Sequence, residues 1–400
     1  MNLQMDAGIA SFRQEVREFL RAKLPADVVR RTRIGMHPPH NDDRQWWNRV
    51  LNEQGWSAPA WPREYGGTGW TPLQQHVFER ECRLAHAPEV RWQGLKLIGP
   101  VIYAFGTAEQ KARYLPPILS GEEVWAQGFS EPGAGSDLAS LKTSAVLDGD
   151  HWVINGQKLW TTEGQFSNMG FFLVRTARTE RPHKGLSMIV LPMDSPGVTV
   201  RTIPMINGDD STCEVFLDNV RVPRDNLIGE PGTGWDQAKF LLGNERTSSA
   251  DIHKAYADLE RIRAIAAVEQ RGGQPLSQDR NFARKLAALE IEVATLDWSV
   301  LRVLSRAPSE HPVAASASVL KIRGSELQQK LTALAIEALG PRGLRTYNRA
   351  AAFAAPADDP LWHDAVPGAM ADHLYLRAVT IFGGAKEVQK NIIAKLAFGL

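Results

Sequence analysis

The sequence predicts an α+β protein in three parts: an amino-terminal all-α domain (residues 1–122), a central β-barrel or sandwich domain (123–230) and a carboxy-terminal four-helix bundle (231–400). Three observations predict it. In the first part, apolar residues recur at helical spacing in segments that stop at Pro or Gly. From Val124 the pattern changes to short β-type runs punctuated by Asn-Gly and Gly. After residue 235, four long helical patterns rich in Ala, Leu and charge pairs follow one another, as in an antiparallel bundle.

Taken in order, residues 12–24 read as a helix stopped by Pro25, and 44–54 as another ended by Gly55. Residues 61–70, rich in Gly, Pro and Trp, read as a structured loop, and 72–84 and 108–119 return to helical spacing. The β series opens with 151–156 and 171–176 and continues through 188–191, 198–203 and 213–217. Residues 231–235 are a Gly- and Pro-rich linker. The helical patterns beyond it cover 238–271, 282–305, 315–339 and 369–398.

Composition narrows the function. A chain of 400 residues can bury a large core and ordinarily forms two or three structural units. Net charge is +1 without a basic stripe, which argues against nucleic acid. No apolar run approaches a membrane span. Residues 1–20 mix Asp6, Arg13, Glu15, Arg17 and Glu18 with apolar residues at helical spacing, an amphipathic helix rather than a signal peptide. Cys82 and Cys213 match neither a metal nor a redox spacing, so free thiols in a reducing, cytoplasmic setting are expected. The histidines show no paired ligand spacing, and no metal is expected.

Residues 128–143, GFSEPGAGSDLASLKT, join a glycine-rich turn to hydroxyl and backbone donors. Glycines let a backbone approach a polar ring edge or a phosphate, and they permit positive φ. Seventeen residues after Thr143, Trp160-Thr161-Thr162 offers an aromatic plane followed by two hydroxyls. Either piece alone reads more simply as an ordinary turn or a core tryptophan. Together they suggest a flavin site: donors for the N1–C2 edge, an aromatic wall on one face, and N5 left open for hydride.

The same motifs carry a resemblance along nearly the whole chain. Ser130-Glu131-Pro132-Gly133-Ala134-Gly135-Ser136-Asp137 and Ile154-Asn155-Gly156-Gln157-Lys158-Leu159-Trp160-Thr161-Thr162 resemble signatures of the acyl-CoA dehydrogenase family. Tyr65-Gly66-Gly67-Thr68-Gly69, Gly99-Pro100 and residues 105–111 are similar to its amino-terminal part, and residues 383–389 to its carboxy-terminal signature. The resemblance implies FAD as cofactor. It implies that Gln127, Phe129 and Ser130 line the isoalloxazine, and that Trp160, Thr161 and Thr162 pack on it and hydrogen-bond to it. Ser136 is expected nearer the CoA chain of the substrate.

Dehydrogenating an acyl-CoA removes a proton from Cα and a hydride from Cβ, and a desolvated carboxylate is the natural base. Many family members carry that Glu just before the glycine of the carboxy-terminal signature, where this chain has Gly383. A second group places it on a helix of the carboxy-terminal domain, just before an Arg. Glu245-Arg246 occupies that place, so Glu245 is the expected base and Arg246 its neighbour in organising the substrate site. An exposed helix pair without a special role is the alternative.

Family homo-oligomers complete each flavin site with an Arg, a Phe-Gly and a Gln from a neighbouring subunit. Aligned on Gly273, the Arg position holds Glu269, the Phe position Gly272 and the Gln position Arg280. A Glu where a cation should meet a pyrophosphate repels it; Arg271 or Arg280 could compensate. A later Gln and Gly-Gly segment also departs, reading EALGPRG over 337–343. The chain thus resembles the larger subunit of bacterial heteromeric acyl-CoA dehydrogenases acting on dicarboxylyl-CoA (pimeloyl-CoA type) or steroid side-chain CoA thioesters. That implies oxidation of an acyl-CoA to a trans-2-enoyl-CoA, a second family subunit in an α2β2 assembly, and an electron-transfer flavoprotein as acceptor. A non-catalytic subunit and an acyl-CoA oxidase are the rival expectations.

Overall fold

Among the described residues, six α-helices precede the sheet: α1 (Ala7–Lys23), α2 (Ala26–Ile34), α3 (Asn41–Glu53), α4 (Pro72–Leu84), α5 (Gly99–Phe105) and α6 (Ala108–Ser120). The protein is described here by a computed structural model covering residues 7–36, 39–245, 250–305, 313–347, 352–353 and 364–400. α1 buries Phe12, Val16 and Leu20, one residue per helical turn, and ends before Pro25. α4 and α6 start at capping boxes, Thr71 with Gln74 and Thr107 with Gln110, which satisfy amide donors otherwise left open. α2, α5 and the π-helical turn Gln93–Ile98 fall outside the helices that the sequence predicts. α2 is nine residues long and buries only Val28 and Ile34, too few to show a period.

The sheet has eight strands: β1 (Trp125–Gly128), β2 (Ser144–Asp148), β3 (His151–Thr162), β4 (Met169–Arg175), β5 (Leu186–Pro192), β6 (Val198–Ile203), β7 (Thr212–Pro223) and β8 (Leu227–Ile228). Their order is β6-β7-β3-β2-β4-β5-β8, with β1 added in parallel on β4. Alternate residues serve two cores, as strand periodicity requires. Phe171, Leu173, Met188 and Val190 pack against Ile98, Ile102, Leu115 and Ile118 of the amino-terminal helices. Their neighbours Phe172, Val174, Ile189 and Leu191 pack against Trp152, Ile154, Val215 and Leu217, so the sheet closes over itself.

The carboxy-terminal helices are α7 (Gly234–Glu245), α8 (Ile252–Val268), α9 (Arg280–Leu304), α10 (Val313–Leu339), α11 (Ala369–Tyr375) and α12 (Lys386–Phe398). α10 is the central member, packed on α8, α9, α11 and α12. Two predicted helices divide. The pattern over 238–271 becomes α7 and α8, with Asp251 at a left-handed φ of 43° just before α8. The pattern over 369–398 becomes α11 and α12, because Gly383 and Gly384 sit at φ of 63° and 93°, which a right-handed helix cannot continue. No helix among the described residues is long and apolar enough to cross a membrane.

Candidate active site

The structure brings the two sequence motifs together through one buried lysine. Lys158 lies on the inward face of β3, with none of its side chain exposed. Its ammonium donates to the Glu131 carboxylate at 2.8 Å, the Phe129 carbonyl at 3.2 Å and the Leu173 carbonyl at 2.7 Å. All three of its protons are therefore satisfied. Glu131 also accepts from the amides of Lys142 (2.6 Å) and Thr143 (2.9 Å), which closes the loop between β1 and β2. Burial pulls Lys158 down to about 8, with Glu131 opposing the shift. Burial would raise Glu131, but Lys158 and the amide donors outweigh it and hold the carboxyl below its ordinary range. The pair is ionised at neutral pH. Beside it, the Leu159 amide donates to the Ser130 carbonyl at 2.8 Å, so Ser130 and Trp160 lie on adjoining strands of backbone.

Trp160 is presented rather than packed. The β3–β7 register shifts between Lys158 and Thr161, and Trp160 adopts a left-handed φ of 63° within that bulge. Its side chain is 55% exposed, whereas Trp125 and Trp152 of the same sheet are buried. Next to it, the Thr161 hydroxyl is buried without a hydrogen-bond partner among the described residues. Gln127 and Thr162 are half-buried at the ends of β1 and β3, and Phe129 is buried edge-on against Phe171 at 5.7 Å. Ser136 is exposed at the far end of the loop. One expectation needs correcting: Gly133 and Gly135 are not at positive φ. A Cβ at either would stand in open space, so the protein's own packing does not require glycine there. An exposed indole face, an orphaned hydroxyl and a bare glycine cradle fit a flat, polar-edged ligand such as a flavin.

The bulge is braced from below. Glu163, at φ 57°, is buried against Arg44 of α3 and against Arg91, 3.3 Å away. Burial and the neighbouring Arg44 pull Arg91 down to about 10. Neither this brace nor the Lys158 clip was singled out from the sequence. Strand alternation held one signal, since Trp152, Ile154 and Lys158 share the inward face of β3.

Glu245 is the last residue of α7. Its side chain and the whole of Arg246 lie outside the described residues. α7 itself is well anchored: Ala238 and Leu241 are buried, Phe240 meets Phe105 at 5.4 Å, and the Gln237 amide donates to the Ile228 carbonyl at 2.6 Å. A cavity of about 1310 Å³ lies between the amino- and carboxy-terminal helices; Asp251, Ile252, Tyr375, Phe382 and Gly383 are among the residues that line it.

The residues expected to contribute to a neighbouring site lie on a small hairpin. Gln270–Arg271 pairs with Gln274–Pro275, and Gly272 and Gly273 make the turn at φ of 60° and 81°. Glu269 pairs with Arg342 at 3.0 Å, and Arg271 with Asp279 at 3.6 Å. Arg280 opens α9. The two segments that depart from the family pattern thus meet, and their charges cancel.

Comparison with known proteins agrees with this architecture. Family models for the acyl-CoA dehydrogenase N-terminal, middle and C-terminal domains match residues 9–122, 126–220 and 232–398. The chain is 34% identical over 404 residues to the acyl-CoA dehydrogenase IpdE1 of Mycobacterium tuberculosis, covering 98% of both chains. It is 32% identical to the acyl-CoA dehydrogenase FadE26 of the same organism, over 88% of this chain and 86% of that one. Among solved structures it superposes on the Tcur3481-Tcur3483 steroid ACAD with a TM-score of 0.85 at 28% identity, covering 100% of this chain and 99% of that one. The ChsE4-ChsE5 complex of Mycobacterium tuberculosis gives 0.81 at 29% identity over 100% and 99%. Matched through all three of its parts, and with a relative this similar end to end, the chain belongs to the acyl-CoA dehydrogenase family of flavoprotein oxidoreductases.

Proposed function

We propose that the chain is the base-bearing subunit of a heteromeric, FAD-dependent acyl-CoA dehydrogenase that oxidises a bulky acyl-CoA to its trans-2-enoyl thioester. The observation that carries this reading is the Trp160 bulge, with its exposed indole beside the unpartnered Thr161 hydroxyl. Gln127, Phe129 and Ser130 would hold the polar edge of the flavin, Thr161 and Thr162 would donate to it, and Trp160 would cover one face. Bound FAD supplies the acceptor for the β-hydride at N5. Glu245 takes the pro-R α-proton, from a helix end fixed to the sheet by Gln237. Arg246 and Ser136 are assigned to the thioester and CoA side. Electrons then leave to an electron-transfer flavoprotein. The cavity of about 1310 Å³ exceeds the roughly 300–1,000 Å³ of ordinary small-molecule sites, which suits a ring-bearing acyl group like that of the steroid relative. Glu269, paired with Arg342, stands where the family pattern has the arginine that meets a pyrophosphate, which supports a second family subunit supplying that half-site.

Trp160→Ala tests the flavin wall. Burying an aromatic face contributes about 1.5–3 kcal/mol, so the variant should lose FAD affinity by about tenfold to a hundredfold. Retained FAD is measured by absorbance after gel filtration of the assembled protein. Native affinity in the variant would move the flavin elsewhere.

A further inference from the structure

Two left-handed residues bracket the pair of threonines that end β3. Trp160 precedes them at φ 63°, and Glu163 follows them at φ 57°. The first turn belongs to the register shift against β7. The second lies beyond the last pair of that ladder, Thr162 with Thr212. Glutamate is a poor residue for a left-handed turn, unlike Gly, or Asn with its short side chain that bonds locally. What holds Glu163 there comes from elsewhere in the chain. Its amide donates to the Ser211 carbonyl at 2.5 Å, and its carbonyl accepts from the Ser167 hydroxyl at 2.9 Å. Its buried carboxylate puts one oxygen on Arg44 Nη1 and the other 3.3 Å from Arg91 Nη1. Arg44 is fixed in turn by the carbonyls of Glu89 (3.0 Å) and Val90 (3.5 Å). Both guanidiniums are buried, so two cations meet one carboxylate away from solvent. The neighbouring acids are otherwise engaged. Asp42, which also reaches Arg91, is exposed. Asp43 pairs with Arg31 at 2.7 Å, and Asp209 accepts from the Ser211 amide and hydroxyl. Arg91 Nε is buried and meets no acceptor among the described residues. The brace itself therefore carries a surplus of positive charge.

Resting on the flavin site proposed above, we propose that Glu163 is a positioning residue for the flavin wall, and that its brace with Arg44 and Arg91 tunes the reduction potential of the flavin held there. Through Arg44 and Arg91 the segment Trp160–Thr162 is tied to α3 and to the chain around residue 90, not to the sheet alone. A left-handed glutamate stores strain, which persists only where the surroundings over-determine it. Here they do, from four sides: Ser211, Ser167, Arg44 and Arg91. Gly or Asn would make the same turn with less strain, but neither would reach between the two guanidiniums with a charge. The charge has its own consequence. Thr162, assigned to the flavin, is the residue before Glu163. Hydride uptake adds one negative charge to an isoalloxazine, and fixed charge near the ring decides how readily it is taken. Surplus positive charge behind the wall, where water is excluded, favours the reduced form. Glu163 moderates that bias, since without it two buried like charges would stand side by side.

Three variants of the chain, co-expressed with its partner subunit, separate charge from shape. Glu163→Gln keeps the length of the side chain and raises the charge of the brace by one. Arg91→Met lowers it by one. The double variant Glu163→Gln/Arg91→Met restores the original charge without the carboxylate. The midpoint potential of bound FAD is measured by dye-coupled reductive titration. It should rise by roughly 30 mV in Glu163→Gln and fall by as much in Arg91→Met, about tenfold each way in the two-electron equilibrium. The double variant should return close to the wild-type potential. A brace that acts through shape alone would shift both single variants in one direction or leave both unshifted, and either result overturns the charge role. Hydrogen exchange of the same assemblies, read by mass spectrometry, follows the shape and needs no FAD. The peptide carrying Trp160–Glu163 should exchange about tenfold faster in Glu163→Gln, because its local opening becomes easier. Protection equal to the wild type overturns the positioning role. FAD content judges the flavin reading separately. A wild-type assembly that binds no FAD removes the site and the proposal with it, whereas bound FAD with unshifted potentials removes the brace alone.

Discussion

Glu245→Gln is expected to slow flavin reduction by substrate about 10²–10⁴-fold in the assembled protein, the range for losing a positioned general base. The substitution keeps shape and hydrogen-bonding capacity and removes only the ability to take the α-proton. Gly383 stands where many family members carry their base, so the chain has no carboxylate there to take over. The position of Glu245 makes the prediction specific. α7 is bolted to the sheet by Gln237 and Leu241, and its last residue stands where the helical pattern breaks before α8. Substrate affinity, measured by titration of the oxidised flavin spectrum, should change little. Stopped-flow reduction at the wild-type rate would take the base away from Glu245.

Lys158→Met should be the most damaging single change to the half-site. It removes the only cation that Glu131 meets among the described residues and leaves that carboxylate buried. Breaking a buried ion pair from one side typically costs about 3–5 kcal/mol. The loss falls on the loop carrying Phe129 and Ser130, so FAD retention should fail along with stability. The double variant Lys158→Met/Glu131→Leu removes both charges and should recover much of the stability. Denaturant unfolding of the two variants separates the outcomes. A single variant as stable as the wild type would mean that the clip does not hold the loop.

The helical ends and strand starts were legible because their causes are local. Pro25 stops α1, and Thr71 and Thr107 cap α4 and α6 through side chains three residues away. β6 matches its predicted range, residues 198–203, because its turn-forming flanks punctuate it. The divided helices were hidden, since the apolar period runs on through 238–271 and only the backbone at Asp251 departs from it. β3 runs on past Asn155-Gly156, which read as the end of its strand but form a register shift within it, and its inward Lys158 is satisfied by Glu131, 27 residues earlier in the chain. The motifs at 128–143 and 154–162 could be read from residues alone, but not the bulge that turns Trp160 outward, which arises from pairing with β7. The wall of the cavity between the helical domains was the least legible feature. His76 and His253 meet only through tertiary packing of α4 on α8, and nothing local marks either as facing a cavity. The cation that meets Glu269 is likewise neither Arg271 nor Arg280, the two that its sequence neighbourhood offers, but Arg342, 73 residues on.

The central claim is that this chain holds one half of a flavin site and the base, and that a different subunit holds the rest. The most direct test is FAD content per chain, from flavin absorbance combined with native mass spectrometry. Expressed alone, the chain should carry little FAD and lose stability, because a ligand bound across an interface stabilises only the assembled form. Co-expressed with a family member that has the intact Arg and Phe-Gly pattern, it should form an α2β2 assembly with one FAD for each pair of unlike chains. A stable homotetramer of this chain alone, with one FAD per subunit and full activity, would contradict the account.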